Sequence, residues 1–76
     1  MIDTFWTVVE EKKFSDGSAT ASATIKANKA LAESAYYSIL ATAASDGSPY
    51  HAAYIIESNR GVIQSKIYDR TANNDG

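Results

Sequence analysis

The chain has no cysteine. That removes disulfide staples, thiolate nucleophiles and cysteine-ligated zinc from consideration. It has a single histidine, His51, so a metal centre would have to be assembled from scattered carboxylates, and neither a metal nor another cofactor is expected. Four glycines fall at Gly17, Gly47 and Gly61 in turn-like contexts and at Gly76, which leaves no phosphate-cradling glycine loop. Positive charge is also scarce. Seven Lys and Arg stand against nine Asp and Glu, for a net charge of −2, and Lys12–Lys13 is the one basic cluster. Binding a phosphate backbone needs several cations on one surface, so a nucleic-acid partner is not expected. No apolar run approaches the roughly 20 residues of a membrane span. The opening MIDTFWTVVEEKK has neither the basic start nor the apolar core of a secretion signal, so cytoplasmic residence is the default and no membrane partner is expected.

What remains is an apolar fraction of 45% in 76 residues, enough for one small core. Thirteen alanines carry much of that fraction and bury little area each. The large residues Phe5, Trp6, Val8, Val9 and Phe14, with the isoleucines and five tyrosines, must therefore do most of the packing. Residues 1–70 read as a single α+β domain, and 71–76 (TANNDG), with nothing to pack, as a frayed tail.

Thr4–Lys13, rich in β-branched and aromatic residues, predicts a strand with Trp6 and Val8 on one face and Phe5, Thr7 and Val9 on the other. Ser15-Asp16-Gly17-Ser18 is a turn, and the same tetrapeptide returns at Ser45-Asp46-Gly47-Ser48 before Pro49. Neither copy has the alternating ligands and late glutamate of a calcium loop. Ala19–Lys26 alternates weakly and reads either as a thin edge strand or as an extended connector. Asn28–Ala44 has the chain's one long helical period, with Asn28 as N-cap and Glu33 in its favourable half. Leu31, Ala32, Ala35, Tyr36, Ile39, Leu40 and Ala43 share its apolar side, while Lys29, Glu33, Ser34, Tyr37 and Ala41 lie opposite. Its length of about 25 Å matches the ~26 Å of an eight-residue strand, as a helix laid on a small sheet requires.

Tyr50–Glu57 and Val62–Arg70 predict a hairpin closed by Ser58-Asn59-Arg60-Gly61. A Ser58–Val62 pairing places His51 opposite Asp69 on a helix-covered face with Ala53, Ile55, Ile63 and Ile67. It leaves Tyr50, Tyr54, Ile56 and Tyr68 on the other. The expected fold is a small antiparallel sheet of three to four strands with one helix on one face, in the order β-β-α-β-β.

His51 with Asp69 is the only arrangement resembling a catalytic orienting pair, with Ser45, Ser48 or Ser65 as conceivable nucleophiles. No nucleophile elbow or oxyanion turn accompanies it, so a cross-strand polar pair is the better account and no enzyme is expected. Trp6, Tyr50, Tyr54, Ile56 and Tyr68, with Tyr37 on the outer helix side, are instead candidate interface residues, because Tyr and Trp bury large area at low entropic cost. A chain this small with one helix on one side of its sheet gains a second layer by pairing with itself.

The segments TFWTVVEEKK, ALAESAYYSILATAA and YHAAYIIESNRGVIQSKIYDR together resemble small uncharacterised proteins of phage and prophage gene clusters. The resemblance implies a small accessory protein and transfers no functional residue. The expected function is a non-enzymatic protein–protein interaction module, homodimeric through its aromatic sheet face or a strand edge, with another protein partner also conceivable. The alternative is a single-stranded nucleic-acid binder using the same aromatics with Lys66 and Arg70.

Overall fold

A computed structural model describes residues 3–70. Four strands, β1 (Trp6–Lys13), β2 (Ala19–Lys26), β3 (Tyr50–Glu57) and β4 (Gly61–Asp69), form one antiparallel sheet in the order β2-β1-β3-β4. The helix α1 (Lys29–Ala43) joins β2 to β3 and covers one face. This is the α+β architecture expected from the sequence. The frayed tail expected at 71–76 lies outside the described residues.

Turn chemistry explains the first hairpin. Gly17 N–H donates to the Phe14 carbonyl and Phe14 N–H to the Ser18 carbonyl, with Gly17 at φ +94° in the left-handed region that glycine tolerates. The Asp16 carboxylate accepts from the Ser18 N–H and hydroxyl, which stiffens the loop. Ala19–Lys26 is thereby a true strand, although six of its first seven side chains are Ala, Thr or Ser and all seven are exposed. Pairing, not burial, holds it.

Asn28 caps the helix as expected, its side-chain oxygen accepting the Leu31 N–H at 2.9 Å. Val8, Ala32, Tyr36, Ala53 and Ile55 form the buried cluster, and Trp6, Ala35, Ile39, Leu40 and Ile63 pack around it. Ala32 and Ala53 are fully buried, so the helix approaches the sheet closely there. Leu31 departs from the expected stripe: it sits in the first turn and is half exposed.

The second hairpin differs from expectation in register. Ser58 does not pair with Val62. Its N–H donates to the Phe5 carbonyl and its hydroxyl accepts the Phe5 N–H, so the residues leading into β1 capture it. The turn closes one residue earlier, Arg60 N–H to the Glu57 carbonyl, and Gly61 at φ +83° opens β4 opposite Glu57. A bulge then intervenes: Ile56 pairs with Val62 but Ile55 with Gln64, leaving Ile63 as the extra residue. Beyond it the alternation of β4 is reversed. Ile67 therefore faces away from the helix, and Tyr68 faces toward it, opposite His51. His51 is not paired across the sheet with Asp69, which lies opposite Tyr50.

Candidate functional site

Two regions bear chemistry, one on each side of the sheet. On the helix side His51 is 1% exposed, held between two carboxylates from different elements. Its Nε2 lies 2.6 Å from Glu10 Oε2 on β1, and its Nδ1 lies 2.8 Å from Asp46 Oδ2 in the loop after the helix. Both contacts are hydrogen bonds together only when both ring nitrogens carry protons or one carboxyl does. Asp46 also meets Lys12 Nζ at 3.3 Å and Arg70 Nη1 at 3.7 Å. The Ser48 N–H donates to it, and that bond, with the Ser48 side chain, His51 and Lys12, holds the Asp46 carboxyl well below the usual carboxylate range against the cost of burial.

Arg70 closes the same cluster. Its guanidinium donates to the Ala43 carbonyl at 2.7 Å and to the Ser48 carbonyl at 2.9 Å. The last helical turn carries no basic residue of its own, so Arg70 supplies from β4 the cation that the helix C-terminus favours. Together these contacts pin the loop Ala44–Pro49 to the sheet. Of the serines considered as nucleophiles, Ser45 hydrogen-bonds the Thr42 carbonyl, Ser48 supplies the N–H to Asp46, and Ser65 is on the opposite face of the sheet. The structure joins His51 to Asp46 and Glu10 and aligns no serine with it. Among the described residues no group of three or more His, Cys, Asp or Glu is placed to hold a metal ion.

The other region is the sheet face away from the helix. The pairings place Thr7, Val9, Glu11 and Lys13 of β1 there, with Ala19, Ala21, Ala23 and Ile25 of β2. Tyr50, Ala52, Tyr54 and Ile56 of β3 join them, as do Val62, Ser65, Ile67 and Asp69 of β4. One transverse row, Ile25–Thr7–Ile56–Val62, crosses all four strands, and its outer members are 66% and 57% exposed. Tyr54 anchors the middle. Its hydroxyl donates to Glu11 at 3.0 Å and meets the Tyr50 hydroxyl at 3.3 Å. The Tyr50 contact, burial and the Glu11 charge push the Tyr54 phenol above its ordinary value. Toward the first hairpin the face is hollow: a shallow depression of about 450 Å³ is lined by Glu11, Lys12, Lys13, Ala19, Thr20, Ala21 and Tyr50.

The candidate interface residues are thus divided. Tyr50, Tyr54 and Ile56 do share the open face. Trp6 and Tyr68 do not: Trp6 packs against the buried cluster beneath the helix, and Tyr68 lies on that side with Lys66 and Arg70 at 5.4 and 5.5 Å from its ring. Tyr37 is 55% exposed on the helix, its hydroxyl accepting from Gln64 Nε2. Sequence reasoning missed Ile67, Val62 and Ile25 as members of the open face, and Glu10 and Asp46 as the partners of His51. Strict alternation from Thr7 in β1 through the first hairpin would have found Ile25. The bulge that turns Ile67 outward leaves no mark in the sequence.

No family model, curated protein or solved structure matches this chain. Within the described residues no helix is long and apolar enough to cross a membrane.

Proposed function

We propose that this protein is a self-associating interaction module, and that the open sheet face is where two copies meet. One observation carries the reading: most of the sheet's charges lie on the helix side, and the open face carries few. Of the strand residues on the uncovered face, only Glu11, Lys13 and Asp69 are charged, whereas Glu10, Lys12, Lys26, Glu57 and Lys66 all sit on the helix side. A one-helix sheet exposed to water normally has an apolar covered face and a polar, charged open one. A face with so few charges costs less to desolvate than to leave wet.

A second copy is the partner that fits. The three charges of the face include both signs, so two such faces meet without a large like-charge penalty. Four strands about 4.8 Å apart and about 26 Å long present roughly 500 Å² in projection. A standard interface takes ~800 Å² per partner, so pairing engages the whole of this face. A nucleic-acid reading has no comparable support, since Lys66 and Arg70 are on the opposite side of the sheet from Tyr50 and Tyr54.

Size-exclusion chromatography with light scattering tests the proposal. Twice the 8.2 kDa chain mass is expected at tens of micromolar. Val62→Glu, a change at an exposed position, should return the mass to that of one chain. A single-chain mass for the unaltered protein would end the proposal.

A further inference from the structure

We infer that the two copies pair about a two-fold axis running parallel to the strands, over the seam between β1 and β3, so that Ile67 of each copy enters the depression of the other beside Ala19 and Ala21. The inference rests on the self-association proposed above and adds to it a register that can fail by itself.

The sheet order β2-β1-β3-β4 puts that seam at its centre, with one hairpin on either side. The two halves of the open face have opposite relief except at the end far from the first hairpin, where Ile25 of β2 is 66% exposed and projects as Val62 of β4 does. The β2 half is cut down to Ala19, Ala21 and Ala23, and the depression lies over the first two. The β4 half projects Val62 and Ile67, 57% and 48% exposed. Hollow and projection are at the same level, because the pairings Ala21–Glu11, Glu11–Ala52 and Ala52–Ile67 form one transverse row. A rotation about the central seam inverts each row from end to end and moves nothing along the strands. It therefore carries Ile67 of one copy over Ala21 of the other.

The remaining rows are compatible with the same operation. Ile25 and Val62, the two most exposed large apolar residues of the face, end one row and come to lie over each other. In the central row Val9 faces Tyr54, and Ala23 faces Ser65. In the row nearest the first hairpin Lys13 comes over the Tyr50 ring, where its ammonium retains water on one side and meets an aromatic face on the other. Aligned sheet packing rotates the strands by about 30°, which leaves the centre of the face in place and displaces these meetings by about a residue at the outer strands and by about one strand spacing at the strand ends. A competing two-fold, across the strands and through the Val9 row, would bring Ile25 over Ala21 and put Ile67 near Val62 of the other copy, a different set of neighbours for a cross-link to read.

The absence of cysteine makes the register directly readable. Ala21→Cys and Ile67→Cys alter exposed positions, so both variants should fold, which melting temperatures within a few degrees of the unaltered chain would establish. Packed sheets are about 10 Å apart, within the span of a short bismaleimide. Mixed in equal amounts and treated with the reagent, the two variants should give a covalent Ala21→Cys/Ile67→Cys pair as the main product, resolved by mass. Each variant alone should cross-link at least fivefold less. A dimer by light scattering that instead links Ile67→Cys to Val62→Cys, or links neither mixture, overturns the register and leaves self-association standing. A monomeric mass overturns both.

Discussion

Asp16 and Asp46 occupy the same tetrapeptide and accept the same N–H from the serine two residues on, yet their surroundings give them different weight. Asp16 is solvated at a hairpin tip, and its carboxyl is lowered chiefly by the Ser18 hydroxyl and N–H. Asp46 adds His51, Lys12 and Arg70 to that bond. Asp46→Ala should therefore destabilise the fold by about 2–3 kcal/mol, the scale of hydrogen bonds to a charged group, while Asp16→Ala costs clearly less. Urea titrations of the two variants decide it, and equal losses would show that the cluster around His51 contributes nothing beyond the turn. The pH dependence has a definite sign. A carboxyl whose folded value is depressed stabilises the native state above its unfolded value of about 3.9 and loses that contribution as pH falls through the folded value. Stability measured from pH 5 down to pH 2 should fall in the unaltered chain and fall less steeply in Asp46→Asn.

At the scale of elements, the helix is held by its start, its end and its alanines. Asn28→Ala should cost about 1 kcal/mol through the lost cap bond to Leu31, measured by urea denaturation. Ala32→Leu should cost about 1–3 kcal/mol in spite of its better hydrophobicity, because a fully buried alanine beneath a closely approaching helix has no room for three more carbons. An unchanged midpoint in urea for Ala32→Leu would mean the helix rides free of the sheet. Arg70 is the part of this element that sequence could not supply. It is 27 residues from the Ala43 carbonyl it caps, and only the return of β4 beside β3 brings it there. The hairpin β3–β4 shows the same limit. Both strands and the loop between them were legible from turn residues and apolar alternation, but the register was not, because Ser58 had a competing partner in Phe5 more than fifty residues away.

At the scale of the whole molecule, the bulge at Ile63 matters most. It sends Ile67 to the open face and Tyr68, with its two cations, to the helix side, and so exchanges an aromatic basic surface for an apolar one. Association through such a face should be nearly indifferent to salt, since apolar burial is not screened. The dimer dissociation constant should change less than threefold between about 50 and 500 mM salt by sedimentation equilibrium, where screening lengths fall severalfold. A tenfold weakening would point to charge pairing at a different surface.

The sequence by itself determined the element order, the cap at Asn28 and the turns at Gly17 and Gly61, because each depends on residues within a few positions of one another. It also determined that one sheet face would lack a helix. Which residues occupy that face was decided only by tertiary structure. Ser58 was drawn to Phe5 and Ile63 was displaced into a bulge, and each shift of one residue in a strand exchanges its two faces. His51 followed the same rule: its partners Glu10 and Asp46, 41 and 5 residues away, met it only when β1, β3 and the loop after the helix closed around one point.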